Sequence, residues 1–144
     1  MEYPLSVDYE MSVESAVRLG QYDKVDGEIT TKNFPTERTG ETDVIVELIH
    51  FNVISSNDVL EKLDEMPYRP AELRELLAFG RKYPDVQREF PIVALGSVLR
   101  HWLRRSLVSC LLGSSSSRIL CLDWYGVMNW GKLSRFAAVR KSGK

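Results

Sequence analysis

Four side chains in this sequence could ligate a soft metal ion or take part in nucleophilic chemistry: His50, His101, Cys110 and Cys121. Zinc ligands normally come in close pairs that one turn or hairpin supplies, and the spacing of these four residues matches no such pattern. The two cysteines do not form a CxxC pair and are too few for a disulfide framework. The sequence therefore predicts no metal site and no structural disulfide.

Catalytic motifs are also missing from the chain. A hydrolase elbow would need a GxSxG segment, and neither histidine has a partner that the sequence identifies. Gly126 and Gly131 lie in an aromatic segment and not in the glycine-rich strand-to-helix turn that binds phosphate. Acidic pairs such as Asp64 and Glu65 fall on helix faces, where charges are usually solvated. The sequence predicts a protein that is not an enzyme and needs no cofactor.

The two parts of the chain differ sharply in charge. Residues 1–89 contain 10 Lys and Arg against 19 Asp and Glu, whereas residues 90–144 contain 9 against one carboxylate, Asp123. Basic and aromatic side chains together can neutralise and stack on single-stranded nucleic acid, so a basic nucleic-acid-binding module is one hypothesis. Its candidate residues are Arg100, His101, Trp102, Arg104, Arg105, Arg118, Tyr125, Trp130 and Arg135. Scattered arginines that only solvate a surface are the alternative.

The first half of the chain predicts one strand and three helices. A short helical signal runs from residue 12 to 19 and ends at Gly20, and residues 27–40 are typical of a loop. Alternating β-branched residues over 42–51 indicate a strand. Ser55 and its neighbours are N-cap candidates for a helix that Pro67 ends. A further helix begins after Pro70, buries residues 73, 76, 77 and 79, and is expected to stop at Gly80.

The second half predicts mainly strands. Residues 91–99, 104–109, 119–125 and 135–140 have strand patterns, and the serine-rich segment 113–117 is typical of a turn. Alternation places Leu120, Leu122 and Trp124 on one face of the third strand, which we expect to be the core face. The opposite face then contains Ile119, Cys121, Asp123 and Tyr125.

Length and composition indicate one domain. The chain has 144 residues, of which 44% are hydrophobic, enough for a single core. No apolar run has the length of a membrane-spanning helix, so no membrane span is predicted. The N-terminus, Met1-Glu2-Tyr3-Pro4, lacks the basic region and apolar run of a signal peptide, and a cytoplasmic location is expected.

The order of several local motifs resembles a known group of proteins. These motifs are the helix segment 69–79 (RPAELRELLAF), the strand 90–97 (FPIVALGS), a strand that carries Trp124, and the closing segment 135–141 (RFAAVRK). Over residues 42–141 the chain resembles the C-type-lectin-fold variable proteins of diversity-generating retroelements. The resemblance implies an α+β, C-type-lectin-like fold in which a small antiparallel sheet packs against two helices. It implies one domain over 1–144, with an N-terminal extension at 1–41, a variable region at 99–134 and a closing strand at 135–141.

In such systems a reverse transcriptase copies a template with errors at adenines and writes the copy into the variable-protein gene. Asn codons then become codons that end in a pyrimidine, which cannot encode Glu, Gln, Lys, Met or Trp. Between Leu99 and Ser134 the chain has no Glu or Gln, one Lys and one Met, although it has three Trp. The composition of this segment fits such diversification in part.

The resemblance also implies roles for particular residues. Gly113, Arg118, Leu120, Leu122, Trp124 and the pair Arg135-Phe136 would be scaffold positions. Outward strand positions and loops can change with little effect on folding, because the opposite face carries the packing. The residues expected to contact ligand are His101, Arg105, Leu107, Ser114, Ser115, Ser116, Ser117, Ile119, Cys121, Asp123, Tyr125, Asn129, Leu133 and Ser134.

The implied function is non-enzymatic recognition of a ligand, expected to be a protein, by a hypervariable surface. Calcium-dependent sugar binding is not expected, because the chain has no EPN or QPD triplet and Asp123 is the single carboxylate side chain after Glu89. The nucleic-acid-binding module stays as the alternative.

Overall fold

A computed structural model describes residues 2–100, 105–126 and 129–141 of the chain. The described residues form an α+β architecture, as predicted. The elements, in chain order, are β1 (Glu2–Asp8), α1 (Val13–Gly20), β2 (Lys24–Val25), β3 (Glu41–His50), α2 (Ser56–Glu65), β4 (Tyr68–Pro70), α3 (Leu73–Lys82), a 3-10 helix (Val86–Arg88), β5 (Ile92–Arg100), β6 (Ser106–Gly113), β7 (Arg118–Trp124) and β8 (Arg135–Arg140).

The sheet is larger than the small antiparallel sheet that we expected. Its eight strands follow the order β1-β3-β8-β5-β6-β7-β2, and β4 pairs with β8 beside this path. The pairs β5–β8 and β2–β7 are parallel, so the sheet is mixed. Three strands, β1, β2 and β4, were not predicted, and each omission has a physical reason. Pro4 interrupts the strand signal of β1 and is tolerated because β1 lies at the sheet edge, while β2 and β4 have only two and three residues.

Hydrophobic cores cover both faces of the sheet. On one face, α1 and α3 pack against β1, β3 and β5, and Leu76, Leu77 and Leu120 lie in this first core. On the other face, α2 covers a second core that contains Val59, Val108, Cys110, Trp130 and Phe136. Because successive side chains of a strand point to opposite faces, β5 and β8 contribute alternately to both cores. Two α-helices on one face and one on the other replace the two-helix layer that we expected.

The start of α2 follows the predicted capping chemistry, and α1 begins with a serine cap that was not predicted. The Ser12 side chain accepts a hydrogen bond from the Ser15 amide at α1, and Ser55 accepts one from Asp58 at α2. The predicted end of α3 at Gly80 was wrong, since the helix continues to Lys82. A Cβ atom at Gly80 would lie 2.2 Å from the Tyr22 hydroxyl, so this glycine permits close packing and does not end the helix. In the described ranges, no helix has both the length and the apolar character needed to cross a bilayer.

Strand β7 departs from the predicted burial pattern at its end. Leu120 is fully buried and Leu122 is partly buried, as expected for the core face. Trp124 was expected in the core but is 47% exposed. The reason is its position: Trp124 is the last residue of β7, where the helices no longer cover the sheet. Alternation predicts the face to which a side chain points but not how far the covering layer extends.

Candidate ligand-binding surface

Strands β6 and β7 form the hairpin that carries most of the predicted contact residues. Its register runs from the pair Leu107–Trp124 at the open base to the pair Gly113–Arg118 at the closed tip. At about 3.4 Å per residue, tip and base lie roughly 20 Å apart. The contact residues at the two ends therefore belong to separate surfaces.

Arg118 fixes the hairpin tip to the rest of the molecule. Its buried guanidinium donates hydrogen bonds to the carbonyls of Gly20, Gly80 and Pro84 at 2.6, 2.8 and 3.0 Å. It also lies over the Tyr22 ring, 4.6 Å from the centroid. Burial raises the pKa of Tyr22 to about 12, so this phenol stays neutral beside the guanidinium. The side chain of Arg118 thus has a structural role, in agreement with its predicted scaffold position.

The hairpin base carries an exposed aromatic side chain with a cation above it. The Arg105 guanidinium carbon lies 5.7 Å from the centroid of the Trp124 ring. Leu107 is the register partner of Trp124, so its side chain lies beside the indole on the same face of the sheet. Leu107 is itself partly buried against the first core. Arg105 and Asp123 are exposed. We call Arg105, Leu107, Asp123, Trp124 and Tyr125 the hairpin-base surface.

Tyr125 anchors the hairpin base to the start of α2. Its hydroxyl donates to the Asn57 side-chain oxygen at 2.7 Å, and its carbonyl accepts from the Ser56 hydroxyl at 2.7 Å. The buried Trp130 indole N–H donates to the same Ser56 oxygen at 2.8 Å. Tyr125 therefore offers part of its ring to a ligand but is held in one orientation by α2.

Two predicted contact residues lie in the middle of β7 and are partly buried. Ile119 and Cys121 point to the face that α2 covers, and Cys121 packs against the second core. Cys121 is directly opposite Cys110 on β6. The two thiols shift each other's pKa: the neighbouring Cys110 thiol holds the pKa of Cys121 below its ordinary value, and the pairing with Cys121, together with burial, raises the pKa of Cys110. The Cys110 thiol donates its hydrogen bond to the Val108 carbonyl at 4.0 Å. These positions give a ligand only limited access.

The serine turn forms the tip surface. Ser114, Ser115 and Ser116 are exposed and Ser117 is half-buried. The Arg88 guanidinium donates to the carbonyls of Ser114 and Ser115 at 2.9 and 3.2 Å. The tip is thereby tied to the 3-10 helix and offers small hydroxyl groups, a weaker surface for recognition than the base.

The remaining predicted residues are scattered. Leu133 is 64% exposed and Asn129 is exposed, whereas Ser134 is buried. His101 lies outside the described residues. The structure thus places Arg105, Leu107, Asp123 and Tyr125 at the same end of the hairpin, with Leu107 on one face of the sheet and Asp123 and Tyr125 on the other, and separates them from the serine turn.

The residues that could form a nucleic-acid surface are separated too. Arg118 and Trp130 are buried, and Arg135 lies over the Phe90 ring at 4.3 Å. His101, Trp102 and Arg104 lie outside the described residues. Arg100, Arg105 and Tyr125 remain near one another at the hairpin base.

Sequence reasoning missed one member of the hairpin-base surface and one residue that holds it in place. Trp124 was assigned to the core, and Asn57 was considered only as a cap candidate. For Trp124 a signal was present: Gly126 follows closely and marks the end of the strand, where cover by helices is least expected. The contact of Asn57 with Tyr125 joins residues 68 positions apart and has no local signature.

The chain matches no family model, and no curated protein or solved structure matches it. Among residues 2–100, 105–126 and 129–141, no three His, Cys, Asp or Glu side chains gather into a group that could hold a metal ion.

Proposed function

We propose that this protein is a non-enzymatic binding protein that recognises a protein ligand with the hairpin-base surface. The observation that carries the proposal is Trp124, an indole half exposed at the end of a paired strand with the Arg105 guanidinium over its ring. Large exposed aromatic side chains and arginines dominate the binding energy of protein interfaces. Because β6 and β7 hold these anchors in place, little conformational entropy would be lost on binding.

We further propose a C-type-lectin-like fold, and diversification by a retroelement of the residues of this surface that surround Trp124, which itself stays fixed. The order of elements supports this view, since α2 and α3 precede β5–β7 and β8 closes the chain beside β3. The division of roles in β7 also supports it. Arg118 and Leu120 are buried in scaffold contacts, while Asp123 and Trp124 at the other end are exposed.

The competing proposal, a nucleic-acid-binding module, is weakened by ion pairs across the chain. Arg140 pairs with Glu2 and Glu47, and Lys141 pairs with Asp64 at 2.7 Å. Arg118 is buried. Acidic side chains of the first part of the chain thus pair with two basic side chains of the second part, and burial removes the Arg118 guanidinium from the surface that phosphates could reach.

A display library tests the binding surface. One library randomises Arg105, Asp123 and Trp124, and a matched control library randomises the exposed α2 residues Glu61, Lys62 and Glu65. After selection against a panel of folded proteins, we expect specific binders from the first library alone, with melting temperatures within a few degrees of the parent. Equal yields from the two libraries would contradict the proposed surface.

Population sequencing tests the diversification. We expect substitutions confined to codons 99–134, matched to adenines of a near-copy beside a reverse-transcriptase gene, with the codons of Arg118 and Leu120 unchanged. Variation spread evenly over the gene would refute the proposed diversification.

A titration with a labelled single-stranded nucleic acid at low and high salt tests the alternative, a nucleic-acid-binding module. Binding to phosphates would weaken steeply between about 50 and 200 mM salt.

A further inference from the structure

A cleft of about 490 Å³ lies between β1, α1 and α3, at the edge of the sheet opposite to β7. This volume falls within the range of small-molecule sites. Its apolar wall includes Leu5 of β1, Leu19 of α1, and Leu77 and Ala78 of α3. Arg74 and Arg81, seven positions apart on α3, line the same cleft.

Arg74 is a buried cation without a carboxylate partner. The residue is only 8% exposed, and none of the ion pairs within 4 Å in the described residues includes Arg74 or Arg81. One Arg74 nitrogen, Nη1, donates to the Phe34 carbonyl at 2.7 Å, and Nε is sealed from solvent without an acceptor. Buried charges are normally paired, because desolvation of an unpaired ion is costly. The remaining nitrogen, Nη2, has no hydrogen-bond partner among the described residues and is not sealed from solvent, so an anion in the cleft would supply its partner.

We propose that this cleft binds a small amphipathic monocarboxylate, a molecule with one carboxylate and an unbranched or aromatic apolar body. The planar guanidinium group matches a carboxylate with two parallel hydrogen bonds, so Arg74 and Arg81 hold the head group. The apolar body lies against Leu5, Leu19 and Leu77. This site is independent of the hairpin-base surface and of any retroelement.

The other charged residues of the cleft restrict the ligand further. Asp8 and Glu41 also line it and form no ion pair with its arginines within 4 Å in the described residues. Lys82 already donates to the Pro4 carbonyl at 2.8 Å. Two carboxylates near the head-group site repel a polyanion, so a single negative charge is favoured over a nucleotide or a diphosphate.

Calorimetric titration of the full chain with hexanoate, octanoate and decanoate tests the site, with 1-octanol as the uncharged analogue. Each added methylene that the cleft buries should tighten the dissociation constant about fourfold. Octanol should bind at least tenfold more weakly than octanoate. Equal affinity of octanol and octanoate, or no detectable binding of any carboxylate, would overturn the proposal.

Four variants locate the site. Arg81→Gln should weaken octanoate binding several-fold at an unchanged melting temperature, and Ala78→Phe should abolish it by filling the cleft. Arg74→Met should also abolish binding, yet leave the ligand-free protein as stable as before or more stable, because it removes an unpaired buried charge. Lys62→Gln on α2 removes one charge elsewhere and should change nothing. Full octanoate affinity in both Ala78→Phe and Arg81→Gln would overturn the assignment.

Discussion

Arg118 shows how one side chain can join several segments of a small protein. Three carbonyls accept its hydrogen bonds, and two of them, from Gly20 and Gly80, belong to the last turns of α1 and α3. The C-terminal end of a helix carries a partial negative charge, so a guanidinium between two such ends is favourably placed. The buried cation therefore needs no carboxylate on its guanidinium.

Removal of this guanidinium should destabilise the fold strongly. We expect Arg118→Met to lower the free energy of unfolding by about 3 kcal/mol, because buried carbonyls would lose their donors. Urea unfolding measures the change. Arg100→Met, at an exposed arginine, should stay within about 0.5 kcal/mol of the parent. Similar losses in both variants would show that the Arg118 contacts contribute little.

The two facing cysteines should differ in reactivity. The neighbouring Cys110 thiol lowers the pKa of Cys121, and the thiolate is the reactive form. We expect iodoacetamide at pH 7.5 to label Cys121 well before Cys110, as measured by peptide mass spectrometry. Cys110→Ala removes the neighbouring thiol and should slow the labelling of Cys121 several-fold. Faster labelling in Cys110→Ala would contradict this explanation.

Glu75 should make stability depend on pH. Burial alone would raise the pKa of Glu75, but hydrogen bonds from Arg69 at 3.0 and 2.6 Å outweigh this effect and hold the pKa below its ordinary value. A lowered carboxyl pKa in the folded state stabilises the protein above the unfolded-state pKa. This contribution is lost as the pH falls through the folded-state pKa.

Glu75→Gln should therefore flatten the acid side of the stability profile. At pH 7 we expect a loss of about 3 kcal/mol in the free energy of unfolding, since Arg69 would lose its carboxylate partner. Between pH 5 and 3 the variant should lose less stability than the parent. Urea unfolding across this pH range measures both effects, and Glu65→Gln on the exposed side of α2 is the control. An unchanged pH slope in Glu75→Gln would contradict this role.

At the scale of elements, Gly96 controls how β5 approaches β4. A Cβ atom there would lie 2.5 and 2.6 Å from the carbonyl oxygens of Ala71 and Pro70, while its amide donates to Ala71 at 2.8 Å. The register of β5 against β6 shifts between Ala94 and Val98, so Gly96 lies in an irregular part of the strand. The carbonyl groups of Pro70 and Ala71 therefore leave no room for a side chain at position 96.

Gly96→Ala should accordingly be more harmful than a typical surface change. We expect a loss of about 2 kcal/mol in the free energy of unfolding, since the backbone at β4 must move. Gly27→Ala is the matched control, because nothing lies within 4 Å of its added Cβ, and it should change stability by less than about 0.5 kcal/mol. Equal effects at both glycines would exclude the steric explanation.

Sequence reasoning predicted those elements whose signal lies within the element itself. The start of α2 was predicted because Ser55 caps its own helix, β3 was predicted from alternation, and β8 was predicted from the strand pattern of residues 135–140. Strand β1 was missed because Pro4 weakens its pattern, and its stability comes from β3, forty residues away. The exposure of Trp124 depends on where the neighbouring helices end, which no residue of β7 encodes.

At the scale of the whole molecule, the N-terminal segment is part of the core. Leu5 and Val7 of β1 are buried, and Tyr3 packs edge-on against Phe79 of α3 at 5.1 Å. Residues 1–41, treated above as an extension, thus supply an edge strand and a helix to the first core.

Deletion of residues 1–9 should prevent cooperative folding. Without β1, the apolar side chains of β3 and α3 that face it would be exposed. We expect loss of the sigmoidal thermal transition in circular dichroism, and recovery of it when a synthetic peptide of residues 1–12 is added in excess. A truncated chain that unfolds as cooperatively as the parent would show that β1 is dispensable.

The central place of β8 sets the order of events during synthesis. This strand pairs with β3, β4 and β5, although it follows all three in the chain. The sheet cannot assemble until residues 135–140 have left the ribosome, so folding is expected to follow the completion of all other strands. Any variant with substitutions between residues 99 and 134 therefore meets one late folding step, in which a chain that cannot accept β8 stays unfolded and open to proteolysis.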